Sequence, residues 1–98
     1  MIVRIVKLTF REDSVATFEA YFPTVSTTIR NQQGCNLLQA WHDINNPQIF
    51  FTYSLWDSEA DLNAYRASEF FGIFWKTVKP WFGEKAEAWS FEKIIDLK

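Results

Sequence analysis

The sequence predicts an α+β domain of order βαββαβ, an antiparallel four-stranded sheet with its helices on one face. Three observations carry that prediction. Apolar spacing alternates between strand-like and helix-like periods, turn residues punctuate the changes, and one segment, Ile49 to Trp56, carries large apolar groups on both faces of a strand. With 98 residues the chain has the length of one domain, residues 1–98.

Ile2 to Phe10 is rich in β-branched residues and reads as the first strand, with Arg4 and Lys7 on opposite faces. Arg11 to Ser14 then offers N-cap side chains and acidic charge. After it, Val15, Phe18, Phe22, Val25 and Ile29 recur at helical spacing and form one apolar stripe. Pro23 removes a backbone donor inside that stripe, which predicts a kink between Glu19 and Pro23. Gly34 is expected to end the helix.

Asn36 to Asp43 and Gln48 to Trp56 are the next two strands, joined by Ile44, Asn45, Asn46 and Pro47, which suit a hairpin turn. In the third strand Ile49, Phe51, Tyr53 and Leu55 share one face, and Phe50, Thr52, Ser54 and Trp56 share the other. Asp57 and Ser58 cap a short helix carrying Leu62 and Tyr65, with Asp61 at capping-box spacing from Ser58. A further helix starts at Ser68. Its stripe of Phe70, Phe71, Phe74, Trp75 and Val78, with Trp81 at the margin, runs until Pro80 and Gly83. Lys85 to Ile95 closes the chain as a strand, with Trp89 and Phe91 opposite Ala86, Ala88 and Ser90.

This order makes a split-βαβ, ferredoxin-like sheet. No element of the chain is left to cover the second apolar face of the third strand. Two copies packed sheet to sheet solve that problem, and a symmetric homodimer is the commonest form.

Eleven of the eighteen aromatic residues lie between Phe50 and Phe82, too many for one small core, so they must line a pocket, an interface or both. A net charge of −2 without clusters of like charge argues against nucleic acid and anionic membrane as partners. No apolar run approaches the roughly 18 residues of a membrane span. The single cysteine, Cys35, has no internal disulfide partner, and the N-terminus lacks a signal peptide's cleavage region, so the expected location is the cytoplasm. Cys35 reads as a small buried residue at a strand start. With one histidine and one cysteine, no protein metal site is expected.

The strand ending in Trp56, the following DSEADL, the YRASEFF segment beyond it, and Gly34 with Cys35 before the second strand together resemble the antibiotic biosynthesis monooxygenase family of dimeric α+β barrels. The resemblance spans about Met1 to Phe91. It implies a homodimer that oxygenates a small phenol- or quinol-like aromatic without flavin, haem or metal. The protein would bind the ring, assist its deprotonation and keep water from the intermediates. Relatives usually carry histidine where this chain has Tyr65, and often a second where it has Phe70. Some pair asparagine with tryptophan on the third strand, where this chain has Thr52 and Trp56.

Tyr65 could hydrogen-bond a ligand oxygen or simply pack against the sheet. His42, the only histidine, reads either as a general base oriented by Asp43 or as a solvated residue at a hairpin end. Trp56, Phe70, Phe74 and Trp75 are the pocket candidates, with Thr52 as a polar contact and Arg66 as a cation for a phenolate. Lys76 reads as part of a solvated helix face. Beside the oxygenase reading stand two others: a non-catalytic binding protein for a planar apolar metabolite, and a structural dimerisation module.

Overall fold

Strand β1 (Ile2–Thr9) occupies the interior of the sheet, paired with β3 (Ile49–Trp56) on one side and β4 (Glu87–Phe91) on the other. Strand β2 (Cys35–His42) extends the sheet beyond β3, so the order is β2-β3-β1-β4 with every pairing antiparallel. The computed structural model describes residues 1–98. Helices α1 (Val15–Arg30), α2 (Glu59–Arg66) and α3 (Glu69–Val78) pack on the face bearing Leu8, Phe50 and Trp56, an α+β, ferredoxin-like architecture.

The register explains how each strand divides its side chains. Leu38, Ser54, Arg4 and Ser90 form one cross-strand row toward the helices, and Ala40, Thr52, Val6 and Ala88 form the next. The alternate residues make the outer face, with rows Leu37, Leu55, Val3, Phe91 and Gln39, Tyr53, Ile5, Trp89. Trp41 stacks on Tyr53 there, ring centroids 5.1 Å apart, and Trp41, Trp89 and Phe91 are all exposed.

One end of the helix layer is sealed by rings. Phe10 stacks on Phe18 at 4.3 Å, and Phe50 meets both edge-on at 5.6 and 5.3 Å. Offset and edge-to-face contacts of this kind each add about 0.5–1.5 kcal/mol beyond the area they bury. The other end is organised around Trp56 and is less completely filled.

α1 runs from Val15 to Arg30 with Pro23 inside it. Glu19 and Pro23 are both exposed, so water can serve the carbonyl that the missing N–H leaves unpaired. The helix stops at Arg30, where the Asn31 N–H donates to the Thr27 carbonyl, and not at Gly34. Gly34 instead makes the turn into β2 at φ +84°, where an added Cβ would run into the Asp61 side chain. β4 ends at Phe91, short of Ile95, and Ile94, Ile95 and Leu97 lie exposed beyond it.

Candidate functional site

Two serine caps build the site from local sequence. The Ser58 hydroxyl accepts the Asp61 N–H at 3.1 Å and starts α2 directly after β3. One element later, the Ser68 hydroxyl accepts the Phe71 N–H at 3.1 Å and donates to the Tyr65 carbonyl at 2.6 Å. That bond pair fixes the corner between α2 and α3. Tyr65 is thereby laid on the indole of Trp56, centroids 5.1 Å apart and planes 21° from parallel, with Phe71 edge-on to Tyr65 at 5.1 Å. The Trp56 N–H is itself committed, donating to the Ser54 hydroxyl at 2.9 Å.

Between these rings, α1 and the sheet lies a cavity of about 280 Å³ lined by 18 residues, 13 of them hydrophobic. That balance suits a small flat apolar ring held by a few polar groups. The polar contribution comes from Arg4, Thr52, Ser54, Arg66 and Glu87, together with the Tyr65 hydroxyl. The Tyr65 hydroxyl makes no hydrogen bond within the protein. Since no sealed-off side-chain polar atom lacks a partner, the hydroxyl is accessible, on a residue that lines the cavity.

Burial sets the ionisation of the site. It pushes the Tyr65 phenol well above its ordinary value of 10.0, and the nearby Cys35 adds to the effect. Tyr65 therefore stays protonated at physiological pH. Burial likewise raises the Cys35 thiol, partly offset by its bond to the Leu37 carbonyl and by Arg30. Arg4 is lowered by burial and then by the charge of Arg66.

Of the residues singled out from the sequence, Thr52, Trp56, Tyr65, Arg66, Phe74 and Trp75 all line this one cavity. Phe70 does not line it. It packs beside the cavity, stacked on Phe74 at 6.4 Å. His42 is also elsewhere: it is exposed, pairs in register with Phe50, and lies six residues along β3 from Trp56, roughly 20 Å away. Its Nδ1 sits 3.2 Å from the Asp43 carbonyl, while the Asp43 carboxylate caps the hairpin turn at the Asn45 and Asn46 N–H groups. Lys76 is exposed on α3. Among the polar lining residues, sequence reasoning passed over Arg4, Ser54 and Glu87, of which Arg4 bears most on the chemistry. The signal was an arginine alternating with Val6 and Leu8 on the inward face of an apolar strand. No three histidine, cysteine or acidic side chains converge where they could hold a metal ion.

Fold and cavity together define a ferredoxin-like α+β domain with an aromatic-lined cavity between its sheet and helices. The family model for antibiotic biosynthesis monooxygenase matches residues 1–76, and the chain belongs to that family. Solved structures agree on the fold. A candidate antibiotic biosynthesis monooxygenase from Deinococcus radiodurans superimposes with a TM-score of 0.89 at 15% identity, over 100% of this chain and 97% of that one. A corresponding protein from Bordetella bronchiseptica gives 0.85 at 21% identity, over 96% and 97% of the two chains. A point mutant of SnoaB, a cofactor-independent oxygenase from Streptomyces nogalater, gives 0.87 at 14% identity, over 98% and 95%. The curated proteins contain no significant sequence match.

Proposed function

We propose that this chain is a single-domain, cofactor-independent monooxygenase that uses O₂ to oxidise a small phenol- or quinol-like aromatic. The observation that carries the reading is the Tyr65 hydroxyl, free of protein partners on a residue that lines an aromatic cavity. Family membership supports the reaction class. In this reading the ring lies among Trp56, Phe74 and Trp75, and Tyr65 donates to the substrate oxygen that becomes anionic. The positive charge of Arg4 and Arg66 favours loss of the substrate's proton to water, so the mechanism does not depend on His42. The ionised ring then passes electrons to O₂. One oxygen atom enters the substrate and the other leaves as water, with the substrate supplying the electrons.

The working unit we propose is a cytoplasmic homodimer joined through the outer sheet face, which would cover Trp41, Tyr53, Trp89 and Phe91. The single buried thiol of Cys35 suits a reducing compartment. No helix is long and apolar enough to cross a membrane.

Oxygen uptake with a panel of quinols and polyphenols, between about pH 6 and 9, tests the proposal. Rates above the spontaneous reaction are expected. A second reading, a binding protein for planar aromatics, is favoured by a lining that holds no histidine. Saturable binding with uptake at background would select it.

A further inference from the structure

We propose that Arg4 and Arg66 form a two-point clamp for a carboxylate carried by the aromatic ligand, so that the preferred ligand class is hydroxylated aromatic acids. The proposal rests on reading the cavity as an aromatic-ligand site, and extends it from ring recognition to charge recognition.

Both arginines line the cavity, and neither has an anionic partner. The ion pairs of the chain are Lys7 with Glu87, Arg11 with Asp13 and Lys93 with Asp96. Glu87 is the only carboxylate residue in the lining, and its side chain is directed to Lys7 at 3.9 Å and largely exposed. Arg4 springs from the interior strand β1 and is half-buried, with one bond from its Nη1 to the Ser90 hydroxyl at 3.0 Å. A guanidinium has five N–H donors, so most of its capacity is unspent. Arg66, the last residue of α2, is exposed at the rim and makes no hydrogen bond or ion pair.

Holding a guanidinium out of water beside a second positive charge is costly unless an anion offsets it. Both guanidinium-bearing residues line one cavity of about 280 Å³, and burial and then Arg66 disfavour the charged form of Arg4. An anion entering between them relieves desolvation and repulsion together. The planar fork of arginine matches the two oxygens of a carboxylate, and Tyr65 and Trp75 line the same cavity. A ring carrying a carboxylate next to a hydroxyl would therefore place the acid on the arginines and the hydroxyl on Tyr65.

The test is calorimetric binding to the intact protein, using 3-hydroxy-2-naphthoic acid and its methyl ester at neutral pH. The acid is expected to bind at least about tenfold more tightly than the ester, with an advantage that shrinks as salt is raised. Arg4→Gln should abolish most of that advantage, bringing the affinity of the acid close to that of the ester. Arg66→Gln should do the same more weakly because its charge is screened by water. Arg66 is exposed, so its variant will fold; Arg4→Lys keeps a charge and serves as a second probe of the buried position. Equal affinity of acid and ester, an acid preference that survives both Gln variants, or no binding of either compound overturns the clamp. These readouts are independent of turnover. An acid preference without oxygen uptake would retain the clamp and defeat the oxygenase reading alone.

Discussion

Tyr65 lies nearly parallel to Trp56 at a centroid distance of 5.1 Å, and only one of the two polar handles is used inside the protein. The indole N–H is held by Ser54, whereas the phenol has no partner within the protein.

Tyr65→Phe should therefore leave stability within about 0.5 kcal/mol of the parent, since no internal hydrogen bond is lost. Oxygen uptake with an accepted quinol should fall by about 30- to 1000-fold, the usual cost of one aligned donor worth about 2–4 kcal/mol at the transition state. Urea titration and an oxygen electrode measure the two effects separately. An unchanged rate in the folded variant would remove Tyr65 from the chemistry.

Alkaline stability should carry the mark of the same residue. Tyr65 holds its proton more tightly folded than unfolded, so its contribution is complete below the unfolded value near 10.0 and is lost as pH rises beyond it. Thermal melts between about pH 9 and 11 should show a steeper decline for the parent than for Tyr65→Phe. Identical slopes would contradict the burial of the phenol.

His42→Ala should leave the pH profile of oxygen uptake unaltered, because the imidazole is exposed at the far end of β3. A profile that loses an inflection near neutral pH would restore the histidine to the mechanism.

Trp56→Ala and Phe74→Ala should each cost about 3–5 kcal/mol, since both side chains are buried, Trp56 to 1% exposure. Ring binding should weaken in whichever variant still folds, as followed by circular dichroism alongside calorimetry. A loss below about 1 kcal/mol would mean that the neighbouring rings collapse into the space.

On the outer face, Tyr53→Asp places a charge between Gln39 and Ile5 in the middle of the expected interface. Light scattering should then report a mass near the 11.6 kDa of one chain, against twice that for the parent. A parent that is already monomeric, soluble and folded would sink the sheet-to-sheet arrangement.

Periodicity was enough to read the strands and helices because each buries one face and its residues obey one spacing. The two-faced β3 also announced an outer surface that the chain does not cover. Boundaries were less legible where tertiary contacts decide them. Gly34 is demanded by the approach of Asp61, from an element more than twenty residues later, and no local rule foresees that. Pro23 is tolerated because water reaches its side of α1. The cavity's aromatic residues were visible as a stripe, whereas Arg4 was not, because a single charge in a strand looks the same whether it faces solvent or a pocket.

The position of β1 also governs how the molecule can assemble over time. Arg4 and Ser90 bond across 86 positions of sequence, so one edge of the innermost strand stays bare until the last strand has been made. Closing so long a loop is slow rather than thermodynamically severe, since its entropic cost grows only with the logarithm of length. We predict that pulse-labelled amides on the β4 side of β1 gain protection last, and simultaneous protection of both sides would refute this order. Until that pairing forms, Arg4 lacks its Ser90 partner and the pocket lacks its Ala86 and Ala88 wall. A nascent chain can thus collapse around its phenylalanines well before it can hold a ligand.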